Sequence, residues 1–89
     1  MKFEFDPAKS ASNKEKHGID FVDAQALWLD DGIEVVLSKA QITTEARFLA
    51  IGLIGGKHWT AICTFRGETV RIISVRRARK EEVGHYEGE

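Results

Sequence analysis

Lys57-His58-Trp59-Thr60-Ala61-Ile62-Cys63-Thr64-Phe65, a connection at Arg66-Gly67-Glu68, and Thr69-Val70-Arg71-Ile72-Ile73-Ser74-Val75-Arg76-Arg77 form the stretch on which the fold turns. Both runs are rich in β-branched and aromatic residues, and a glycine sits in the short link. The segment therefore reads as a β-hairpin. Upstream, Arg47 to Ile54 is a further strand, joined to Lys57 by Gly55-Gly56, a dipeptide suited to a tight turn. Ile33-Glu34-Val35-Val36-Leu37 is another, and Phe3-Glu4-Phe5 alternates as a candidate edge strand.

Helical signals flank these strands. Asp6-Pro7 is a helix start, because Asp accepts from free first-turn N–H groups and Pro fits the first helical position. The helix runs from about 7 to 17 and ends at Gly18, a residue suited to a left-handed cap. Asp20 opens a second helix, with Asp23 three residues on and Ile19 and Ala24 placed as a hydrophobic staple. Phe21, Ala24, Leu27 and Trp28 give it a core face, and Asp30-Asp31-Gly32 stops it. Arg79 to Tyr86 has helical propensity, weakened by Gly84. The order predicts an α+β fold: two N-terminal helices on an antiparallel sheet of about four strands, closed by a short C-terminal helix. Residues 1–89 are expected to make one domain.

Composition bounds the function. The chain has 89 residues, 43% hydrophobic and 30% charged, which fits one modest globular core. Cys63 stands alone, so neither an internal disulfide framework nor a Cys-based zinc site is available. The start is too charged for a signal peptide's apolar core, and no apolar run approaches a bilayer span. A reducing, cytoplasmic setting with no membrane contact is expected. The formal charge of −1 excludes a uniformly basic nucleic-acid binder. Its distribution is uneven, however. Residues 66–80 hold Arg66, Arg71, Arg76, Arg77, Arg79 and Lys80 against Glu68 alone, while residues 20–45 and 81–89 are acidic.

Two constellations could carry chemistry. Lys9, Asn13, Lys16 and His17 share one helix face, where amines, an amide and an imidazole can grip phosphate oxygens and move a proton. Lys16 and His17 equally suit a helix C-terminus as simple complements to its dipole. In the last strand, arginines interrupt a run otherwise fit for burial. Period-2 alternation puts Arg71 and Arg77 on one face and Ser74 and Arg76 on the other. Such arginines need either carboxylates inside the fold or an anion from outside, and the guanidinium fork fits phosphate. His17, His58 and His85 lack metal-ligand spacing, and no nucleophile elbow or phosphate loop is present. Neither a metal nor another cofactor is expected.

These residues carry a family resemblance. Phe5-Asp6-x-x-Lys9-x-x-x-Asn13-x-x-Lys16-His17-Gly18-Ile19-x-Phe21-x-x-Ala24 is followed by Glu45-x-Arg47-Phe48-x-x-Ile51-Gly52. Then come Thr64-x-Arg66-Gly67 and Arg71-Ile72-Ile73-Ser74-x-Arg76-x-Ala78-x-x-x-Glu82-x-x-x-Tyr86. The chain resembles the BrnT-type toxins of bacterial type II toxin–antitoxin systems. The resemblance implies a RelE-like fold and a ribonuclease activity that inhibits translation. It also implies neutralisation by a BrnA-type ribbon-helix-helix antitoxin, through which alone operator DNA would be contacted. Two departures stand out: Phe5 replaces a frequent Trp, and Lys39-Ala40-Gln41-Ile42 replaces a segment that is often acidic and His-containing.

Metal-free RNA cleavage needs a base for the 2′-hydroxyl, cations at phosphorus and an acid for the leaving 5′-oxygen, giving a 2′,3′-cyclic phosphate. On that expectation Arg66, Arg71 and Arg76 contact phosphate and transition state, His17 transfers a proton, and Glu82 is a candidate base. Lys9, Lys16, Arg47, Arg77 and Tyr86 would bind RNA. The alternative is a toxin without enzymatic activity that grips an acidic protein such as gyrase.

Overall fold

The computed structural model describes residues 1–41 and 44–89. Ile42, the last residue of the divergent Lys39–Ile42 segment, lies outside the described residues. Strand β1 (Lys2–Glu4) leads into helix α1 (Pro7–His17) and a 3-10 helix (Asp23–Leu29). Strands β2 (Glu34–Leu37), β3 (Phe48–Ile54), β4 (Lys57–Arg66) and β5 (Thr69–Arg77) follow, and α2 (Lys80–Glu87) closes the chain.

The N-terminal start signal works as read. The Asp6 carboxylate accepts from the Ala8 amide at 2.9 Å, and Gly18 takes the left-handed conformation (φ 77°) that ends α1. The second helix differs from the expectation. Asp20 accepts from the Asp23 amide at 2.8 Å, but the helix opens later than expected, with Val22 in the cap position and no side-chain cap, and it is a 3-10 helix rather than an α-helix. Three residues per turn stacks Ala24 above Leu27, and both are fully buried together with Phe21 from the preceding turn.

The sheet has five strands in the order β1-β5-β4-β3-β2, not four, and it is mixed. β1 runs parallel to β5, with Lys2 opposite Thr69 and Glu4 opposite Arg71. The other neighbours are antiparallel hairpin partners. This five-strand, mixed arrangement with one α-helix and one 3-10 helix before β2 corrects the expected four-strand antiparallel, RelE-like layout. Both edges are short strands, which limits the backbone offered to other chains.

One sheet face packs on the N-terminal helical layer. Phe21, Ala24 and Leu27 meet Ala50, Ala61, Cys63, Val70, Ile72 and Val75 there. Burial pushes the Cys63 thiol up to about 12, so it is an inert packing group. Gly52 lets this layer close: a Cβ there would lie 3.1 Å from Leu27 Cδ2 and 3.2 Å from an Asp30 oxygen.

A bulge decides the other face. Ile62 pairs with Ser74 but Cys63 pairs with Ile72, leaving Ile73 as an extra residue in β5. Strict alternation would have separated Arg71 from Arg76. Because of the bulge, Arg71 lies opposite Thr64 and Arg76 opposite Thr60, and both threonines are on the same side of β4. Arg71 and Arg76 therefore share the face away from the core, and Arg77 turns to the opposite one. α2 covers part of that outer face and leaves the rest open.

Among the described residues, no helix is long and apolar enough to cross a membrane.

Candidate active site

The open outer face carries two adjoining depressions. The larger, about 530 Å³, lies between the end of β2 and α2, with Arg47, Ile62, Arg76, Arg79 and His85 among its walls. The smaller, about 190 Å³, is a notch lined by Lys9, Arg47, Thr64, Arg66 and Arg71, with Glu45 at its rim. Arg47 belongs to both. Four of the sequence-selected arginines and Lys9 are thus brought together, from three strand regions and the first turn of α1.

Arg76 is more buried than Arg66 or Arg71. Its Nη1 and Nη2 donate to the two Glu82 oxygens at 2.7 and 2.8 Å, and Nη1 also reaches the Arg77 carbonyl at 3.4 Å. Two of its five N–H groups, on Nε and Nη2, take no partner among the described residues and remain to meet an anion. Glu82 is 6% exposed and also accepts from Thr60 Oγ1 and the Arg79 amide, both at 2.9 Å. Burial pushes its pKa up, but the hydrogen bonds from Arg76, Arg79 and Thr60, with the Arg76 charge, outweigh it and hold the carboxyl at about 2. A carboxylate held in this way is a poor proton acceptor. In this geometry both Glu82 oxygens are engaged in orienting Arg76.

The sign of that shift gives a testable pH dependence. A carboxyl lowered from 4.5 to about 2 stabilises the fold fully above about pH 4.5 and loses that contribution as pH falls toward 2. The contribution amounts to about 3 kcal/mol. Urea unfolding between pH 7 and pH 3 should show a steeper acid loss for the wild type than for Glu82→Gln. Parallel profiles would contradict this assignment.

Arg66 is half-exposed and forked onto Glu45 at 2.8 and 3.0 Å, with Glu4 at 3.2 Å. Those hydrogen bonds hold Glu45 below the usual carboxylate range. Arg71 Nη1 stands 3.6 Å from Glu4 Oε2, an ion pair longer than a hydrogen bond. Internal carboxylates therefore answer for part of the basic strand, as one of the two readings required.

The remaining sequence-selected residues do not converge. Asn13 is buried: it donates to the Ile19 and Val75 carbonyls at 2.8 and 2.9 Å and accepts from the Val75 amide at 3.1 Å. It is a peg that completes the edge of β5 beyond the end of β1. Lys16 and His17 are exposed about 12 Å along α1 from Lys9, and neither makes a hydrogen bond or ion pair with the groove arginines among the described residues. Arg77 lies over the Trp59 ring at 5.4 Å and donates to the His58 carbonyl. The Tyr86 hydroxyl donates to Asp30 at 2.8 Å, and that bond, with burial, raises its pKa. His58 bonds Glu87 at 2.7 Å and meets Tyr86 edge-on.

His85 and Arg79 are the groove residues that sequence reasoning passed over. The signal was present, because His85 lies three residues after Glu82 on α2, on the same side of the helix.

A family model described as "Ribonuclease toxin, BrnT, of type II toxin-antitoxin system" matches residues 5–82. No curated protein matches the chain.

Proposed function

The chain belongs to the BrnT family of ribonuclease toxins of type II toxin–antitoxin systems, and on that premise we propose that it cleaves RNA without a metal in the groove on the outer sheet face, inhibiting translation. Its protein antitoxin would be of the BrnA ribbon-helix-helix type, with operator DNA contacted only through it. The observation that carries this reading is the union of Arg47, Arg76, Arg79 and His85 around one open groove.

Cleavage requires the 2′-oxygen to attack phosphorus while the bond to the 5′-oxygen breaks, and negative charge grows on the non-bridging oxygens. The two unengaged N–H groups of Arg76, fixed by Glu82, are arranged to meet that charge without reorganising. Arg47, between groove and notch, neutralises the same phosphate or its neighbour. Arg66 and Arg71 hold the strand in the notch together with Lys9. His85 takes the proton-transfer role first read onto His17, because the His85 imidazole shares the groove with Arg76. It protonates the leaving 5′-oxygen, while solvent water accepts the 2′-hydroxyl proton. Products would be a 2′,3′-cyclic phosphate and a 5′-hydroxyl.

End-group analysis of cleaved RNA, in buffer containing EDTA, tests this. The expected result is cyclic-phosphate ends, with His85→Ala slowed about 10²-fold and His17→Ala within a few-fold of wild type. Cleavage lost in His17→Ala and kept in His85→Ala would reverse the assignment.

A further inference from the structure

We propose that the notch lined by Lys9, Arg47, Thr64, Arg66 and Arg71 is a second phosphate subsite, which takes a phosphodiester flanking the scissile one in exchange for the Glu45 carboxylate. The inference rests on the RNA-cleaving reading above and adds where the strand is held and what occupies its place beforehand.

Two buried polar atoms lack partners among the described residues, and both belong to this notch: Thr64 Oγ1 and Arg47 Nε. Thr64 is 2% exposed, so no bulk water compensates its hydroxyl. Buried polar groups are ordinarily satisfied, and an orphan donor beside cations signals an absent acceptor. The other donors are available too. Arg71 makes no hydrogen bond shorter than its 3.6 Å pair with Glu4 among the described residues, and Lys9 is exposed.

Glu45 shows what kind of acceptor fits. Its two oxygens sit on Arg66 Nε and Nη2 in the fork geometry that a phosphodiester's two non-bridging oxygens also satisfy. Glu45 lies on the exposed segment before β3, and its side chain is 45% exposed, so it can swing into solvent when a phosphate arrives. Arg47 is common to the notch and the groove, which makes the notch the next stop for a chain whose scissile phosphate lies at Arg76.

Thr64→Val tests the proposal, because it removes the hydroxyl and keeps the shape. The probe is an all-deoxy oligonucleotide, which lacks the attacking 2′-hydroxyl, followed by fluorescence anisotropy with the full chain. The free Thr64→Val protein is expected to melt at or above the wild-type temperature, since an orphan group is lost, while oligonucleotide affinity falls about tenfold. Glu45→Gln should tighten binding several-fold, and that gain should shrink in the double variant with Thr64→Val. Arg71→Gln should lower the salt slope of binding by about 0.7. A parallel arm with inorganic phosphate separates sources: protection from thermal unfolding by phosphate alone marks a site for the free anion as well as for the chain.

A lower melting temperature in Thr64→Val would show that the hydroxyl already has a partner, and unchanged oligonucleotide affinity would show that nothing binds it. Either overturns the subsite. Absence of RNA cleavage by the wild-type protein, with these binding effects present, would instead sink the ribonuclease reading and leave the subsite standing.

Discussion

Replacing Arg76 with alanine is expected to lower RNA cleavage by about 10²–10³-fold and to destabilise the fold by about 3–5 kcal/mol. The two losses have one origin. Arg76 and Glu82 form a bidentate pair with side chains 19% and 8% exposed, and Glu82 depends on that guanidinium to stay ionised where burial opposes it. Removing the arginine leaves a buried carboxylate with Thr60 and the Arg79 amide as its remaining partners. It also removes the two N–H groups that take no partner among the described residues. The effects separate in the double variant Arg76→Met/Glu82→Leu, in which an apolar pair replaces the ion pair. Stability should recover only in part, because the desolvated charges are gone while the Thr60 hydroxyl and the Arg79 amide lose their acceptor. Cleavage should not return. Urea unfolding and a labelled-RNA assay on the same preparations check both halves. Full activity in either variant would remove Arg76 from the chemistry.

The second large effect is structural. Asn13→Ala should destabilise the protein by about 3 kcal/mol, from three net hydrogen bonds of about 1 kcal/mol each, two of them to the edge of β5. In a chain of this size that corresponds to a melting temperature lower by roughly 10–20 °C. Asn13→Asp should lose at least as much, since a carboxylate can serve the Val75 amide but cannot donate to the two carbonyls. Thermal unfolding of the three proteins decides it. A shift of only a degree or two for Asn13→Ala would mean that water replaces the amide without cost and that α1 is docked by something else.

Asn13 also marks the limit of what the sequence can say. Its spacing from Lys9, Lys16 and His17 correctly put it on a helix, and on a face with cations nearby. Its partner, Val75, is 62 residues away, and no local pattern reports that β5 has an unpaired edge there. The strands β2 to β5 were legible because their residue types, glycine-bearing turns and lengths are local properties. β1 was legible as a strand but not as a parallel partner of β5, since parallel pairing joins distant segments. The 3-10 helix had only a faint trace, since Ala24 and Leu27 are its one buried pair three residues apart.

The site was legible in composition and illegible in grouping. Arg71 and Arg76 were singled out because arginines in a β-branched strand demand an explanation, and Arg66 because it opens the basic run 66–80. Their arrangement hinged on one bulged residue, Ile73, whose only sequence sign is two adjacent isoleucines where alternation expects one. Glu82 read as a base because helix spacing shows a carboxylate near Tyr86. Its four hydrogen bonds, which depress its pKa, come from β4, β5 and the α2 cap. His85 was overlooked because a lone helical histidine carries no signal until the helix is docked against the arginines.

The central claim is that RNA lies on the outer sheet face, along the notch and groove joined by Arg47. Amide chemical-shift changes during titration of the 15N-labelled protein with an all-deoxy oligonucleotide test it most directly. The expected map is a continuous track through Arg47, Leu49, Ile62, Thr64, Ser74, Arg76 and His85, with Trp59 and His17 unmoved. Shifts confined to Lys16, His17, Trp59 and Arg77 would place the RNA on the opposite side of the sheet and contradict the claim.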